Sequence, residues 1–211
     1  LGLITKIYAY VMLPIVVLTV IVVLWRRRSA LGQGILSALW VAIPAFLVQA
    51  GLGKDDHWQI YLPAVLGSFL LMGGVFPLER RGYLRAVFLS AIALIALVQV
   101  ALLWVSSGAP SVTCLAWLLF AFFCGFNVLE ATQPSLVSRI APASSRGAAM
   151  GVYNTLQSLG FFAGGVMGGQ LVKSYGTQGL FLTCAALMVL WLVVAWPMVA
   201  PKRPAHPAKT P

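Results

Sequence analysis

Long apolar runs separated by short polar breaks dominate the chain. Seven runs are long enough to cross about 30 Å of hydrocarbon as helices, which takes about 20 residues each. The fourth run is almost purely aliphatic, and such a helix faces lipid or simply packs against protein. The predicted spans cover residues 7–25, 31–52, 58–76, 83–105, 111–140, 145–175 and 179–199.

The first run forms a segment of its own. It ends in three consecutive arginines, 26–28, whereas a signal peptide carries its basic residues before the apolar core. We therefore predict a single retained span over 1–30 with a basic cytoplasmic end, followed by a six-span bundle over 31–200. The remainder, 201–211, is proline-rich, polar and too short to fold, so we expect a disordered cytoplasmic tail.

Composition places the whole chain in a membrane. Of its 211 residues 61% are hydrophobic and 9% are charged, and the mean hydropathy is +0.95. Such a chain lacks the polar residues that cover the surface of a water-soluble globule. The predicted fold class is therefore all-α, a polytopic transmembrane helical bundle of about seven spans with the lipid bilayer as its surroundings.

The basic residues carry information about topology. The net charge is +10, but the positive residues are dispersed in loops, so we expect no nucleic-acid partner. If the spans alternate in direction, all but three of the 14 lysines and arginines fall on one side of the membrane. The exceptions are Lys6, Lys54 and Lys173. The positive-inside rule then predicts an external N-terminus and a cytoplasmic C-terminus.

Glu130 is the acidic residue that lies well inside an apolar run, since the other three fall in breaks between runs. An isolated carboxylate in hydrocarbon is costly unless it is paired, hydrated or protonated. Glu130 and Asn154 lie nine and eight residues from the arginines at the ends of their runs, so on antiparallel helices both sit roughly 12–14 Å from the interface. We predict that Asn154 and Gln157 approach Glu130 at this depth.

Other polar residues accompany Glu130 on its helix. Asn127, Glu130, Gln133 and Pro134 share one face by three- and four-residue spacing, and Pro134 removes a helix hydrogen bond nearby. Two interpretations of Glu130 stay open. It is either a protonatable group that lines a water-filled cavity, binding a cation or exchanging a proton, or a neutral carboxyl that joins helices through hydrogen bonds.

A glycine-rich run follows this helix. Glycines spaced four residues apart leave one face of a helix without side chains, so another helix can approach closely. Static packing and a sliding or rocking contact both produce this pattern. The glycines that we assign to helix packing are Gly147, Gly151, Gly160, Gly164, Gly165, Gly168 and Gly169.

The break between the third and fourth runs carries four residues of interest, Glu79, Arg80, Arg81 and Gly82. A solvated loop at the membrane interface accounts for them, because such loops are commonly basic on the cytoplasmic side. The alternative is a charge network that forms part of a cytoplasmic gate.

These stretches together resemble the major facilitator superfamily. The resemblance rests on residues 40–44, 127–138 and 141–154 and on the glycines up to Gly169. From about residue 35 to residue 200 the chain is similar to the C-terminal half of such a transporter, spans seven to twelve of twelve. It is most similar to the YajR-like, proton-coupled, drug-efflux-type branch, whose cytoplasmic signature survives here only as the four residues that begin at Glu79.

The resemblance implies secondary active transport, with proton-coupled efflux of small molecules by alternating access across a bacterial inner membrane. Glu130 is then the proton- or cation-responsive group, with wall residues Asn127, Gln133, Asn154 and Gln157. The implied partners are a small-molecule substrate, protons and, if the chain is a fragment, an N-terminal six-helix half.

Other functional classes are less well supported by the sequence. It carries no Ser/His/Asp set, phosphate loop or metal cluster, so we expect no enzyme activity, no cofactor and no metal. A non-transporting membrane subunit or scaffold and a non-functional fragment remain as alternatives.

Overall fold

The computed structural model describes residue 39 and residues 42–108 and 111–198, and each regular element within them is helical. The predicted all-α class is therefore confirmed. Short 3-10 turns at Lys54–Asp56 and Ala143–Ser145 each precede a long helix. The α-helices are α1 (42–49), α2 (Trp58–Arg80), α3 (Leu84–Val105), α4 (Val112–Ile140) and α5 (Arg146–Ala195).

Several parts of the sequence prediction lie outside the described residues. These are the single-span segment 1–30, the beginning of the second predicted span and the tail at 201–211. Within the described residues, α2, α3, α4 and α5 are long and apolar enough to cross a membrane. The helices α2, α3 and α4 follow the predicted spans 58–76, 83–105 and 111–140 closely.

Helix α5 contains 50 residues and a sharp break. As one straight helix it would be roughly 75 Å long, more than twice the thickness of the hydrocarbon core. Gly176 interrupts it with φ 68° and ψ −176°, a conformation that is essentially restricted to glycine. We call residues 146–175 the first arm of α5 and residues 177–195 the second arm.

Contacts with neighbouring helices establish that the two arms run in opposite directions. As the chain advances along α4, its hydrogen-bond partners on the first arm lie progressively earlier in the sequence, so the two run antiparallel. The same holds for α3 and the second arm. Because α3 and α4 form a hairpin, the arms are antiparallel to each other. The pairs are Glu130–Gln157, Gln133–Tyr153, Arg85–Trp196 and Ser107–Gln178. One glycine thus replaces the loop predicted at 176–178.

Helix α3 lies at the centre of the described bundle. It packs against both α4 and α5, and half of its most apolar stretch is buried, compared with 12% for α2. On the α5 side, the ring of Phe88 meets Trp191 edge to face with centroids 6.2 Å apart. About half of this aliphatic helix therefore packs against protein, while Leu97 and Trp104 on it are exposed.

Helices α3 and α4 approach each other closely at Gly125. A Cβ atom added there would lie 2.8 Å from Cγ1 of Ile95 and 3.1 Å from the backbone oxygen of Ala91. A real Cβ atom does not fit at these distances without movement of the backbone, so glycine is required for this contact. Gly125 was not among the glycines predicted to pack against another helix.

We expect Gly125→Leu to destabilise this chain by roughly 1–3 kcal/mol or more, because the added side chain forces α3 and α4 apart. Thermal unfolding in detergent measures the change. The control is Gly165→Leu on the first arm of α5, where an added Cβ has no neighbour within 4 Å. Equal melting temperatures for the two variants would contradict the close approach at Gly125.

Four of the seven α5 glycines that were assigned to helix packing make no close approach within the described residues. A Cβ added at any of them meets no atom within 4 Å, whereas Gly160 and Gly168 are buried and Gly164 is half-buried. With about 100° between successive residues, the two groups lie on sides of the first arm roughly 120° apart. Four-residue spacing identified both sides but not the one that faces the bundle. The open positions are Gly147, Gly151, Gly165 and Gly169.

Candidate functional site

The carboxylate of Glu130 joins α4 to the first arm of α5. Both of its oxygens accept hydrogen bonds from Nε2 of Gln157, at 2.8 and 2.9 Å, and both residues are half-buried. A hydrogen bond to a charged group in such a place stabilises the contact by about 1.5–3 kcal/mol. The structure thus brings together the two residues that lie at the same predicted depth.

Tyr153 adds a second link between the same two helices, one turn closer to the start of α5. Its hydroxyl donates to Oε1 of Gln133 over 3.4 Å, and only 3% of Tyr153 and 8% of Gln133 are exposed. Tyr153 was not among the site residues predicted from the sequence. A signal was present, because Tyr153 precedes Gln157 by four residues and therefore shares its helix face.

Asn154 occupies a different side of the first arm. It is exposed, and its side chain makes no hydrogen bond within the described part of the chain. About 100° of helix rotation separates Asn154 from Tyr153, which places Asn154 on the side of the open glycines. Of the predicted residues, Glu130 thus bonds to Gln157 and Gln133 bonds to Tyr153, while Asn154 lies on another side of the first arm.

Asn127 connects α4 to α2 instead of α5. Its Nδ2 donates to Oγ of Ser68 at 2.7 Å, and Ser68 in turn donates to the backbone oxygen of Val65. Ser68 is buried, so this pair satisfies a polar group inside the α2–α4 contact. The polar face predicted on α4 is therefore divided between two neighbouring helices.

Pro134 lies within α4, which continues to Ile140. Proline has no N–H, so it donates no helix hydrogen bond to the backbone oxygen of the residue four positions earlier, which is Glu130. The helix hydrogen bond that proline removes is therefore the one to the backbone oxygen of Glu130.

A second polar cluster lies where α2 and α4 end. Oε1 of Glu79 accepts from Nη2 of Arg139 at 2.5 Å and from Oγ of Ser135 at 3.4 Å. Only 10% of the Glu79 side chain and 17% of the Arg139 side chain are exposed. Helix α4 thus contacts α2 through this ion pair as well as through Asn127.

The remaining residues of the predicted gate loop lie outside this cluster. Arg81 and Gly82 are exposed, and Gly82 has φ 95°, which a tight turn between α2 and α3 requires of a glycine. Arg80 ends α2, and its side chain lies outside the described residues. Arg139, the partner of Glu79 in the structure, was not among the residues predicted for this cluster.

A double-mutant cycle on Glu79→Gln and Arg139→Gln should reveal coupling of roughly 0.5–3 kcal/mol, because each single change leaves one charge without its partner. The stability of the four proteins is measured by unfolding in detergent. Strictly additive changes would indicate that the pair contributes nothing to holding α2 against α4.

Comparison with known proteins identifies the family of this chain. The Major Facilitator Superfamily model matches residues 29–211. The chain belongs to this superfamily. Escherichia coli K12 has a similar protein, the inner membrane transport protein YajR, which is 36% identical over 175 residues. That alignment covers 79% of this chain and 36% of YajR.

Two further relatives of this superfamily member are described as uncharacterised transporters. One, from Buchnera aphidicola, is 32% identical over 58% of this chain and 31% of its own length. The other, from Mycobacterium tuberculosis, is 34% identical over 39% of this chain and 14% of its own length. The chain thus spans about a third or less of the curated relatives that it matches.

Proposed function

We propose that this superfamily member forms part of a secondary active transporter that exports small molecules in exchange for protons across a bacterial inner membrane. The observation that carries the proposal is the half-buried Glu130 carboxylate in the middle of α4, held by Gln157 of α5. Ionisable groups inside membrane-spanning segments commonly mark ion or substrate pathways. The relation to an inner membrane transport protein supports the proposal further.

The chemistry of Glu130 explains how a proton changes the site. An ionised carboxylate only accepts hydrogen bonds, and both of its oxygens accept from Gln157. Once protonated, one oxygen becomes a donor and no longer suits the amide N–H of Gln157. Proton binding therefore weakens the link between α4 and the first arm of α5, as does a cationic ligand that competes for the carboxylate.

The transport cycle that we propose is alternating access. In it the helix bundle rocks against a second, N-terminal half around a site near the middle of the membrane. Asn127, Gln133, Tyr153 and Gln157 form the hydrogen-bonding wall beside Glu130, while the ion pair between Glu79 and Arg139 keeps α2 and α4 together at one end of the bundle.

The experiment that tests this function is transport into proteoliposomes that contain the chain together with its N-terminal half. An imposed pH gradient should drive accumulation of at least one compound from a panel of cationic and neutral small molecules, and a protonophore should abolish it. Transport that a protonophore leaves unchanged would contradict proton coupling. Absence of any flux across the panel would favour the membrane scaffold.

The proposed orientation makes a separate prediction. A reporter fused after residue 211 should be active in the cytoplasm, and one inserted in the turn at Lys54–Asp56 should be active outside, because arginines gather on the cytoplasmic side. Paired alkaline phosphatase and green fluorescent protein fusions measure this. Two reporters on the same side would contradict the proposed topology.

A further inference from the structure

Three arginines at one end of the bundle have no acidic partner among the described residues. Glu79, the acid at this end, is engaged by Arg139. Arg81, Arg85 and Arg146 are exposed and form no ion pair within the described residues. This end of the described bundle therefore carries excess positive charge at the level where the helices leave the membrane.

Arg85 connects the positively charged end of the bundle to the end of α5. Its Nη2 donates to the backbone oxygen of Trp196 at 2.7 Å, which ties the start of α3 to the end of α5. A guanidinium has five N–H donors, so this bond leaves most of them available to another acceptor. Arg81 precedes α3 by three residues and lies in the turn that leads into this helix.

Exposed aromatic residues flank the arginines. Tyr83 is 58% exposed and Trp196 is 63% exposed, which is typical of rings that sit among lipid headgroups. An apolar strip continues from Trp196 toward the middle of the second arm through Val193 and Leu190, both more than half exposed. Positive charge at the interface is thus adjacent to a surface suited to an acyl chain.

We propose that Arg81, Tyr83, Arg85 and Trp196 form a binding site for the headgroup of an anionic phospholipid. Guanidinium groups bind phosphate oxygens through paired hydrogen bonds. The apolar strip beside the site favours a lipid over a free phosphate, because an acyl chain covers Val193 and Leu190 while the phosphate meets the arginines. This inference needs only the membrane location of the chain and is independent of proton coupling.

The test measures binding of phosphatidylglycerol to the purified protein by native mass spectrometry, with phosphatidylethanolamine as the zwitterionic comparison. The parent should bind phosphatidylglycerol preferentially. Arg81→Gln should weaken that binding roughly five-fold and Arg81→Gln with Arg85→Gln roughly 25-fold, since each basic residue near an anionic surface contributes comparably. Arg81→Gln is the cleaner of the two variants, because the Arg81 side chain is exposed and forms no ion pair within the described residues, whereas Arg85 also bonds to Trp196.

The control is Lys54→Gln, which removes one exposed positive charge at the opposite end and should leave the preference unchanged. Equal phosphatidylglycerol binding by the parent and both arginine variants would overturn the proposal, as would an equal loss in Lys54→Gln. Inorganic phosphate should not displace the lipid. Displacement by inorganic phosphate would instead assign the arginines to a soluble anion and overturn the lipid site.

Discussion

Glu130→Gln is expected to abolish proton-coupled transport by the complete transporter while insertion and stability stay near normal. Glutamine keeps the shape of the side chain and can still accept a hydrogen bond from Gln157 through its amide oxygen, but it cannot titrate. The measurement is accumulation driven by a pH gradient in proteoliposomes, compared at matched protein content and at several pH values. Transport equal to that of the parent at every pH would make Glu130 a structural residue.

Asn154→Ala provides the matched control for the site. Asn154 lies on the exposed side of the first arm, whereas Gln157 bonds both carboxylate oxygens of Glu130. We therefore expect Gln157→Ala to alter the pH dependence of transport and Asn154→Ala to change it little. The reverse ranking would contradict the arrangement of the first arm.

Gly176→Ala is expected to destabilise the chain by about 1–3 kcal/mol, because alanine must adopt a conformation that is open essentially to glycine. The antiparallel course of the two arms depends on this residue. Folded yield and melting temperature in detergent measure the loss. The space around Gly176 is open, so the effect comes from the backbone and not from a clash.

Gly169→Ala is the matched control, since Gly169 is helical and an added Cβ there has open space. Alanine has a higher helix propensity than glycine by about 1 kcal/mol, so this variant should be as stable as the parent or more stable. If Gly176→Ala and Gly169→Ala melted alike, the chain reversal would not depend on the positive φ of Gly176.

The sequence predicted the position of the described spans well, because hydropathy along the chain shows the length of each apolar segment. It did not predict which helix is central. Protein interior and lipid are both apolar, so an aliphatic helix such as α3 has the same composition in either place. Gly125 was missed for the same reason, since only the packing of α3 against α4 reveals its role.

The level of a residue along its helix was predicted better than the side of the helix on which the residue lies. Counting residues from the terminal arginines placed Glu130 at the level of the part of the first arm that holds Asn154 and Gln157, and Glu130 is hydrogen bonded to Gln157. The same count placed Asn154 beside them, although its side chain turns away. Tyr153 and Arg139 were absent from the prediction because residue counting does not show which side of a helix faces its neighbour, and their partners Gln133 and Glu79 lie on other helices.

The most direct test of the account is whether Glu130 itself takes up a proton in the membrane. Infrared difference spectroscopy of the reconstituted transporter, titrated over the pH range in which it stays folded, follows the protonated carboxyl band. The account predicts a titrating band in the parent that is missing from Glu130→Gln and displaced in Gln157→Ala. An identical carboxyl titration in the parent and in Glu130→Gln would contradict the account.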